Sequence, residues 1–250
     1  MGGEATQNPG SLAGRNAVVT GASGVIGRAI AVALARVGVR VCALGRNPIA
    51  LAETVAAIQK HSQATGFRVD LTLDEDLQAP LRYLEEVGVL DILIHCAGVI
   101  HQDVMGHARV QDLDLQYSTN VRAPYLLTQR LLPLLTAARG QIVFINSSLG
   151  LAAKRPNIGQ YAATKHALKA IAESLREELN PKGVRVLSAY LGRTATPMQE
   201  ALFQREGREY HPEMLLQAED IASVVVHSLM LPPTAEVTDI FIRPMRKTSP

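Results

Sequence analysis

The sequence predicts a doubly wound α/β fold, in which a mainly parallel sheet of about seven strands carries helices on both faces of a single domain. Three observations predict it. Short apolar segments alternate with segments of helical periodicity along most of the 250 residues. The apolar segments lack strict apolar–polar alternation, which is typical of strands buried on both faces. Hydrophobic residues make up 47% of the chain, which is enough for a large core.

The first strand is a short apolar run that ends in a glycine-rich turn, and a segment of helical spacing follows it. The run DILIHC gives the strongest later strand signal. One long helix is expected over 113–137, bent near Pro124 and Pro133, because proline removes a helical hydrogen bond. In order, strands are expected at 17–20, 39–44, 67–70, 91–96, 141–146, 184–190 and 238–242, and helices at 25–37, 49–59, 75–86, 113–137, 160–179 and 218–231.

Two segments fall outside this alternation. Residues 1–11 are expected to form a flexible tail ahead of the domain at 12–250, and the opening MGGEAT matches a short myristoylation pattern of low specificity. Residues 193–217 are richer in polar residues and contain Pro197 and Pro212. Loops at the carboxyl ends of parallel strands bear the ligands in such sheets, so this segment is expected to form a lid.

Composition argues against several classes of function. The net charge is only +2, and the basic residues are scattered among acidic ones, so no nucleic-acid partner is expected. No membrane span and no secretory signal are apparent, which favours a soluble, cytoplasmic protein. The histidines show no zinc-ligand spacing, so no metal is expected. Cys42 and Cys96 lie in predicted strands and are expected to be buried, reduced thiols.

The glycine-rich turn favours a Rossmann-like dinucleotide site. Gly21, Gly24 and Gly27 are three residues apart, directly between a strand and a helix. Gly21 permits the tight turn, Gly24 lets the backbone approach a pyrophosphate, and Gly27 lets helix and strand pack closely. The helix N-terminus offers free N–H groups to the phosphates. The alternative is a turn whose glycines serve packing alone.

The end of the second strand distinguishes the two nicotinamide cofactors. An acidic residue there would bind the adenosine ribose and favour NAD, but the chain has Gly45, Arg46 and Asn47. Arg46 can pair with a 2′-phosphate, and Ser23 can add a hydroxyl, so NADP(H) is favoured over NAD(H). The alternative is a solvated arginine at the strand end. Asp70 ends the third strand, where it can bind adenine or cap the next turn.

Three polar residues predict acid–base chemistry. Tyr161 and Lys165 lie one turn apart on one face of a predicted helix. The ordinary tyrosine pKa of about 10 makes a poor base at neutral pH, and the nearby ammonium is expected to lower it. Ser148 follows a buried strand at the edge that faces the ligand crevice, where its hydroxyl can stabilise charge on a substrate oxygen.

The ordered set of motifs resembles the short-chain dehydrogenase/reductase family over nearly all of residues 12–245. The resemblance implies NADP-dependent hydride transfer between nicotinamide and a carbonyl or alcohol, in a homodimer or homotetramer. The residues that carry it are the glycine turn, His95-Cys96-Ala97-Gly98, Asn120, Ser147-Ser148, Tyr161-Ala162-Ala163-Thr164-Lys165, and Leu191-Gly192 followed by Thr196.

The resemblance also implies residue roles. Tyr161 exchanges the proton, Lys165 holds the nicotinamide ribose, Ser148 orients the substrate and Asn120 holds a water in a proton relay. Ser148 is preferred to Ser147 because 13 residues is the family's usual separation from the tyrosine. The residues expected at the cofactor are Gly21, Ser23, Gly24, Val25, Ile26, Gly27, Arg46, Asp70, Leu71, Ala97, Gly98, Tyr161, Lys165, Gly192, Thr194 and Thr196.

The chain departs from the family pattern at three places. Gly24 comes one position early, so a slightly altered turn is expected. The family's Asn-Asn-Ala-Gly is replaced by a segment that begins His95-Cys96, and His95 is expected to serve structure rather than catalysis. The family's Pro-Gly is Leu191-Gly192, which loosens a turn beside the nicotinamide.

Two other functions fit the same residues: a non-catalytic NADP-sensing or scaffold protein, and an epimerase or dehydratase that uses its cofactor transiently. The substrate does not follow from the sequence. The residues expected to line its pocket favour neither an apolar slot nor a strongly anionic clamp; they are Arg155, Asn157, Tyr190, Arg193, Met198 and Phe203.

Overall fold

A sheet of seven parallel strands forms the centre of the molecule, as the computed structural model shows for the residues it describes, 10–153 and 155–246. The strand order is β3-β2-β1-β4-β5-β6-β7, which confirms the predicted doubly wound sheet. The strands are β1 (Asn16–Thr20), β2 (Arg40–Gly45), β3 (Ala64–Arg68), β4 (Ile92–His95), β5 (Gln141–Ser147), β6 (Arg185–Leu191) and β7 (Asp239–Ile242).

Helices cover both faces of this sheet, so successive strand residues enter two different cores. In β4, Ile92 and Ile94 pack in the cluster that contains α1 and α8 residues, whereas Leu93 packs with residues of α5 and α6. The helices are α1 (Val25–Arg36), α2 (Pro48–Gln59), α3 (Gln78–Val87), α4 (Val110–Tyr117), α5 (Ala123–Ala138), α6 (Gly159–Leu179), α7 (Pro197–Arg205) and α8 (Ala218–Leu229).

The order of the strands fixes where a ligand can bind. β1 pairs with β2 on one side and with β4 on the other, so the winding direction reverses at β1. Such a reversal opens a crevice at the carboxyl ends of the strands. The turns after β1, β4, β5 and β6 therefore meet at one edge of the sheet.

Two predicted elements were placed wrongly. β3 spans Ala64–Arg68 rather than 67–70, because its ladder with β2 begins at the pair Val41–Ala64 and the chain turns away at Asp70. The helix expected over 113–137 is two helices, α4 and α5, joined by the π turn Ser118–Arg122. Pro124 lies in the first turn of α5, where a missing N–H costs nothing.

The segment 193–217 contains a helix, α7, and closes on itself through a bridge between Thr194 and Leu216. The leading segment 1–9 and its acylation pattern lie outside the described residues, so those expectations stay predictions. Within the described ranges, no helix has the length and apolar character needed to cross a bilayer.

Candidate active site

The glycine-rich turn between β1 and α1 leaves no room for side chains. Gly21 has a φ of +68°, and a Cβ there would lie 2.8 Å from the backbone nitrogen of Ala97. A Cβ at Gly27 would lie 2.3 Å from the Gly21 carbonyl oxygen, so α1 packs directly on the turn. No side chain caps α1 at Gly24, which leaves N–H groups of its first turn available to an anion.

A cavity lies against this turn, and it continues into a second cavity along β5, α6 and α7. The two cavities share Gly98 and Thr196. The first is lined by the expected cofactor residues Gly21, Ser23, Gly24, Val25, Ile26, Gly27, Arg46, Asp70, Leu71, Ala97, Gly98 and Thr196. The second is lined by Tyr161, Lys165, Gly192 and Thr194. The fold thus brings all sixteen expected cofactor residues to one cleft.

The outer end of the cleft presents a cation beside a hydroxyl. Arg46 is exposed, and a Cβ at Gly45 would lie 2.7 Å from the Ser23 Oγ, so the glycine lets Ser23 approach the strand end. The Asp70 carboxylate accepts hydrogen bonds from the Thr72 nitrogen at 3.0 Å and from its hydroxyl at 2.7 Å. Asp70 therefore caps a turn, the alternative left open by the sequence, and its bond to adenine stays a prediction.

The charge of Arg46 also affects the pKa of Asp70. Burial raises the pKa of Asp70, but the hydrogen bonds from Thr72 and the positive charges of Arg46 and Arg68 outweigh it, so the net pKa is lowered. The carboxylate is therefore ionised at neutral pH. It offsets part of the Arg46 charge from across the cavity.

Tyr161 and Lys165 lie on α6 beside the end of β5. The Lys165 Nζ donates a hydrogen bond to the carbonyl oxygen of Ile145 at 3.1 Å and lies 5.8 Å from the centre of the Tyr161 ring. Lys165 is buried, and burial lowers its pKa to about 8. A small environmental change can therefore shift this amine between its charged and neutral forms near neutral pH.

The structure pairs Tyr161 with Ser147 rather than with Ser148. The Tyr161 hydroxyl is hydrogen-bonded to the Ser147 side chain, and Ser148 is exposed at the start of a 3-10 turn. β5 runs one residue further than predicted, so Ser147 is its last residue. The choice of Ser148 counted residues through the β5–α6 loop, whose length does not fix which serine ends the strand. The strand end was the signal that favoured Ser147.

The pKa of Tyr161 moves opposite to expectation. Burial raises it to about 12, and the hydrogen bond from Ser147 lowers it only in part. Lys165 does not contribute to the shift, and its Nζ lies 5.8 Å from the centre of the ring. In the protein without ligands, Tyr161 is thus a protonated phenol, not an activated base.

Asn120 joins three elements from within the π turn. Its side-chain oxygen accepts from the Val99 nitrogen at 2.9 Å, and its amide nitrogen donates to the Val99 oxygen at 2.9 Å and to the Thr164 hydroxyl at 3.1 Å. Thr164 is the residue before Lys165. Asn120 therefore makes the bridging hydrogen bonds that the sequence left as its structural role, and the relay water stays a prediction.

The turn after β4 is held by residues that replace the family's amides. His95 is buried, stacks on Phe144 and hydrogen-bonds the Thr128 hydroxyl at 2.8 Å. Burial lowers its pKa to about 3, so it is neutral. The Thr20 hydroxyl accepts from the Cys96 nitrogen at 3.0 Å and from the next backbone nitrogen at 3.2 Å. Thr20 thus supplies bonding that sequence reasoning did not assign to any residue.

Thr119 is a second residue that the sequence did not single out. It lines the cavity beside the glycine turn, and its Oγ1 is buried without a hydrogen-bond partner among the described residues. A buried hydroxyl normally has a partner. A polar group of a bound ligand would supply one. Its place in the cavity depends on the π turn, which the sequence pattern did not predict.

The start of the segment 193–217 lines the inner cavity. Thr196 caps α7, because its hydroxyl accepts from the Gln199 nitrogen at 3.2 Å. Of the six residues expected at the substrate, Arg155, Arg193 and Met198 line this cavity. The other three do not: Tyr190 is buried in the sheet against Phe241, and Asn157 and Phe203 also lie outside the lining.

A glycine turn at a parallel-sheet crevice, joined to a cavity with a tyrosine, a lysine and a serine, defines a dinucleotide-binding oxidoreductase fold. A sequence model of the short chain dehydrogenases matches residues 15–207. The chain therefore belongs to the short-chain dehydrogenase/reductase family, and it is an oxidoreductase of that family.

Similar proteins cover the whole domain. An uncharacterized oxidoreductase from Staphylococcus epidermidis is 33% identical over 92% of this chain and 96% of its own, and a farnesol dehydrogenase from Aedes aegypti is 32% identical over 93% and 97%. A short chain dehydrogenase from Shigella flexneri, solved in complex with NADP, is 31% identical, with a TM-score of 0.82 over 94% of this chain and 98% of the other.

Proposed function

We propose that the protein is an NADP-dependent oxidoreductase that exchanges a hydride between nicotinamide and a carbonyl or alcohol, with Tyr161 as its acid–base group. One observation carries this proposal. The hydrogen-bonded hydroxyls of Tyr161 and Ser147 line an inner cavity that adjoins the cavity at the glycine turn and shares five lining residues with it. A substrate oxygen at this pair would meet both a proton donor and a second hydrogen-bond donor.

Each polar residue then has one task. In reduction, Tyr161 would give its proton to the carbonyl oxygen and regain one from solvent afterwards, while bound NADPH would supply the hydride to the carbonyl carbon. Ser147 donates to the same oxygen as negative charge develops there. Lys165, held by the Ile145 carbonyl, keeps a cation 5.8 Å from the centre of the Tyr161 ring, where it would bind the nicotinamide ribose. Asn120 positions Lys165 through Thr164.

The cofactor fits the outer cavity. No side chain caps the first turn of α1, and the Thr119 hydroxyl, which has no partner among the described residues, lies in the same lining, so the cavity offers donors to a ligand with polar groups. Arg46 and Ser23 offer a charge and a hydroxyl to the 2′-phosphate that distinguishes NADP from NAD. The Shigella relative bound to NADP supports this preference.

Replacement of Arg46 tests the cofactor preference. In Arg46→Gln, the dissociation constant for NADPH, measured by quenching of its fluorescence, is expected to rise about tenfold because a charge-assisted hydrogen bond is lost. The constant for NADH is expected to change less than twofold. Equal weakening of both cofactors would contradict recognition of the 2′-phosphate by Arg46.

Replacement of Tyr161 tests the chemistry. Tyr161→Phe keeps the ring but removes the proton, so reduction of a broad panel of aldehydes and ketones should fall at least 100-fold while NADPH binding persists. Retained turnover would overturn the acid–base assignment. A wild type that binds NADPH tightly yet reduces no compound would favour a sensing or scaffold role instead.

We also propose a homo-oligomer. Helices α4 and α5 expose apolar and aromatic side chains on neighbouring elements, namely Val110, Leu115, Tyr117 and Tyr125. Exposed patches of this kind mark contact surfaces. Light scattering after gel filtration should give at least twice the 26.9 kDa chain mass, and Tyr125→Glu should lower it. A monomeric wild type at micromolar concentration would exclude the proposal. A cytoplasmic location stays a prediction.

A further inference from the structure

Three arginines surround a single carboxylate at the lid side of the inner cavity. The Arg193 guanidinium makes two hydrogen bonds to Glu206, at 3.0 and 2.8 Å. Arg155 reaches the same carboxylate at 3.4 Å and Arg208 at 3.3 Å. We call these four residues the arginine cluster. Glu206 is thus shared among three guanidinium groups.

Part of this cluster faces the proposed reaction centre. Arg155, Arg193 and Glu206 line the same cavity as Tyr161 and Lys165. Among the charged residues of that lining, Glu206 carries the one negative charge that the described chain provides. The cavity is therefore electropositive, and a low-dielectric wall strengthens the field that a bound group would meet.

Among the described residues, the charges of Arg193 and Arg155 are not fully compensated. The Arg193 side chain is only 13% exposed, packs 4.6 Å from the Phe203 ring, and has a buried Nη1 without a hydrogen-bond partner among the described residues. The pKa of Arg155 is lowered, first by burial and then by repulsion from Arg193, which the attraction of Glu206 does not cancel. An additional anion would relieve both conditions.

We propose that the substrate carries a carboxylate, held by Arg155 and Arg193 while its carbonyl or alcohol oxygen meets Tyr161. The substrate class is thus an oxo acid or hydroxy acid, which rests on the proposed oxidoreductase function. Arginine presents a planar pair of donors that matches a carboxylate. The sequence did not predict an anion site, because the residues expected in the pocket were of mixed types and did not include Glu206 or Arg208.

The test compares each acid with its methyl ester, which removes the negative charge and adds one methyl group. Wild-type protein is assayed with NADPH against 4-carboxybenzaldehyde and methyl 4-formylbenzoate, and against succinic semialdehyde and its methyl ester. The kcat/KM of the acid should exceed that of its ester by about tenfold in at least one pair, which is the worth of one charge-assisted hydrogen bond. Equal reduction of acid and ester would overturn the carboxylate proposal and leave the oxidoreductase proposal intact.

Variants of Arg155 test whether this residue causes the preference for the acid over its ester. Arg155 is 40% exposed and makes one long ion pair, so Arg155→Gln should fold normally and lower the acid-to-ester ratio about tenfold. Arg155→Lys should retain most of the ratio. Arg15→Gln is the matched control, since Arg15 is 37% exposed and pairs with Asp91 beside the amino ends of β1 and β4. An unchanged ratio in Arg155→Gln would contradict the assignment.

Binding gives a readout that does not need turnover. With NADP⁺ present, benzoate should raise the Tm of the wild type more than benzamide does, and Arg155→Gln should lose the difference. If no aldehyde is reduced but benzoate still binds through Arg155, the proposed function fails while the anion site stands. If benzoate and benzamide raise the Tm of the wild type equally, the anion site proposal fails.

Discussion

Replacement of the two adjacent serines provides a sharp test of the active-site geometry. Ser147→Ala removes the hydroxyl that is hydrogen-bonded to Tyr161, whereas Ser148→Ala removes an exposed hydroxyl one residue later. The two changes are chemically identical and one position apart. Any difference in activity between them therefore reports where each side chain lies.

The expected magnitudes follow from the surroundings of each hydroxyl. Loss of one preorganised donor to a developing oxyanion costs about 100-fold in kcat, or about 2.7 kcal/mol of transition-state stabilisation. Ser147→Ala should lose that much, and because Ser147 is the group that lowers the pKa of Tyr161, the variant should also need higher pH to oxidise an alcohol. Ser148→Ala should lose less than about twofold, because its exposed hydroxyl is solvated.

The assay is NADPH oxidation at 340 nm with the best substrate of the carbonyl panel. Ser147 also accepts from the Leu149 nitrogen at 3.2 Å, so its loss removes a small cap, and thermal unfolding must show that the variant stays folded at the assay temperature. Ser147→Thr keeps a hydroxyl and should recover part of the activity. A larger loss in Ser148→Ala than in Ser147→Ala would refute the assignment of Ser147.

Three further predictions follow from burial and backbone geometry. Because the pKa of Tyr161 is raised to about 12, kcat/KM for alcohol oxidation at saturating NADP⁺ should rise with pH from 6 to 9, whereas that for carbonyl reduction should not; a flat oxidation profile would contradict this. Because burial lowers the pKa of His95 from 6.5 to about 3, the folded protein binds fewer protons than the unfolded chain between these pH values. As the pH is lowered through this range, the free energy of unfolding should decrease by about 1.4 kcal/mol per pH unit. His95→Gln should reduce this pH dependence in urea titrations. Gly21→Ala should lower the Tm more than Gly88→Ala and abolish NADPH binding. Both glycines have a positive φ, which costs alanine about 1 kcal/mol, but of the two only Gly21 has backbone atoms where the Cβ would lie. Equal decreases in Tm would contradict the close approach of the backbone at Gly21.

The parts of the fold that follow local rules could be predicted from sequence. The apolar run in β4 sends alternate residues into two cores, and its lack of polar alternation correctly indicated a strand covered on both sides. The boundaries of β3 depend instead on its ladder with β2, which begins at Ala64, three residues before the predicted start of the strand at Phe67. Propensity carries no information about the register of a partner strand.

The π turn between α4 and α5 is a similar case at the site. The periodic pattern of 113–137 is continuous enough to suggest one helix, and the prolines suggested bends within it. A π turn adds one residue to a helical turn, and contacts of its side chains with other parts of the fold stabilise it. Asn120 meets the Val99 backbone and Thr164, contacts between segments 21 and 44 residues apart in sequence. The helical period alone cannot encode such contacts.

At the active site, distance along the chain is a poor guide to the environment of a side chain in the fold. Lys165 was expected to acidify Tyr161 because it is four residues away, yet burial raises the pKa of the phenol and lowers that of the amine, so both buried groups favour their neutral forms. The separation from Tyr161 favours Ser148, whereas the end of β5 favours Ser147, and both serines line the inner cavity, so the choice of Ser148 stays a prediction. A buried phenol with a raised pKa is protonated at neutral pH, and carbonyl reduction requires an acid that is protonated before the step in which it gives up its proton. The same residues would oxidise an alcohol well only after an added positive charge, such as that of an oxidised nicotinamide ring, had stabilised the phenolate.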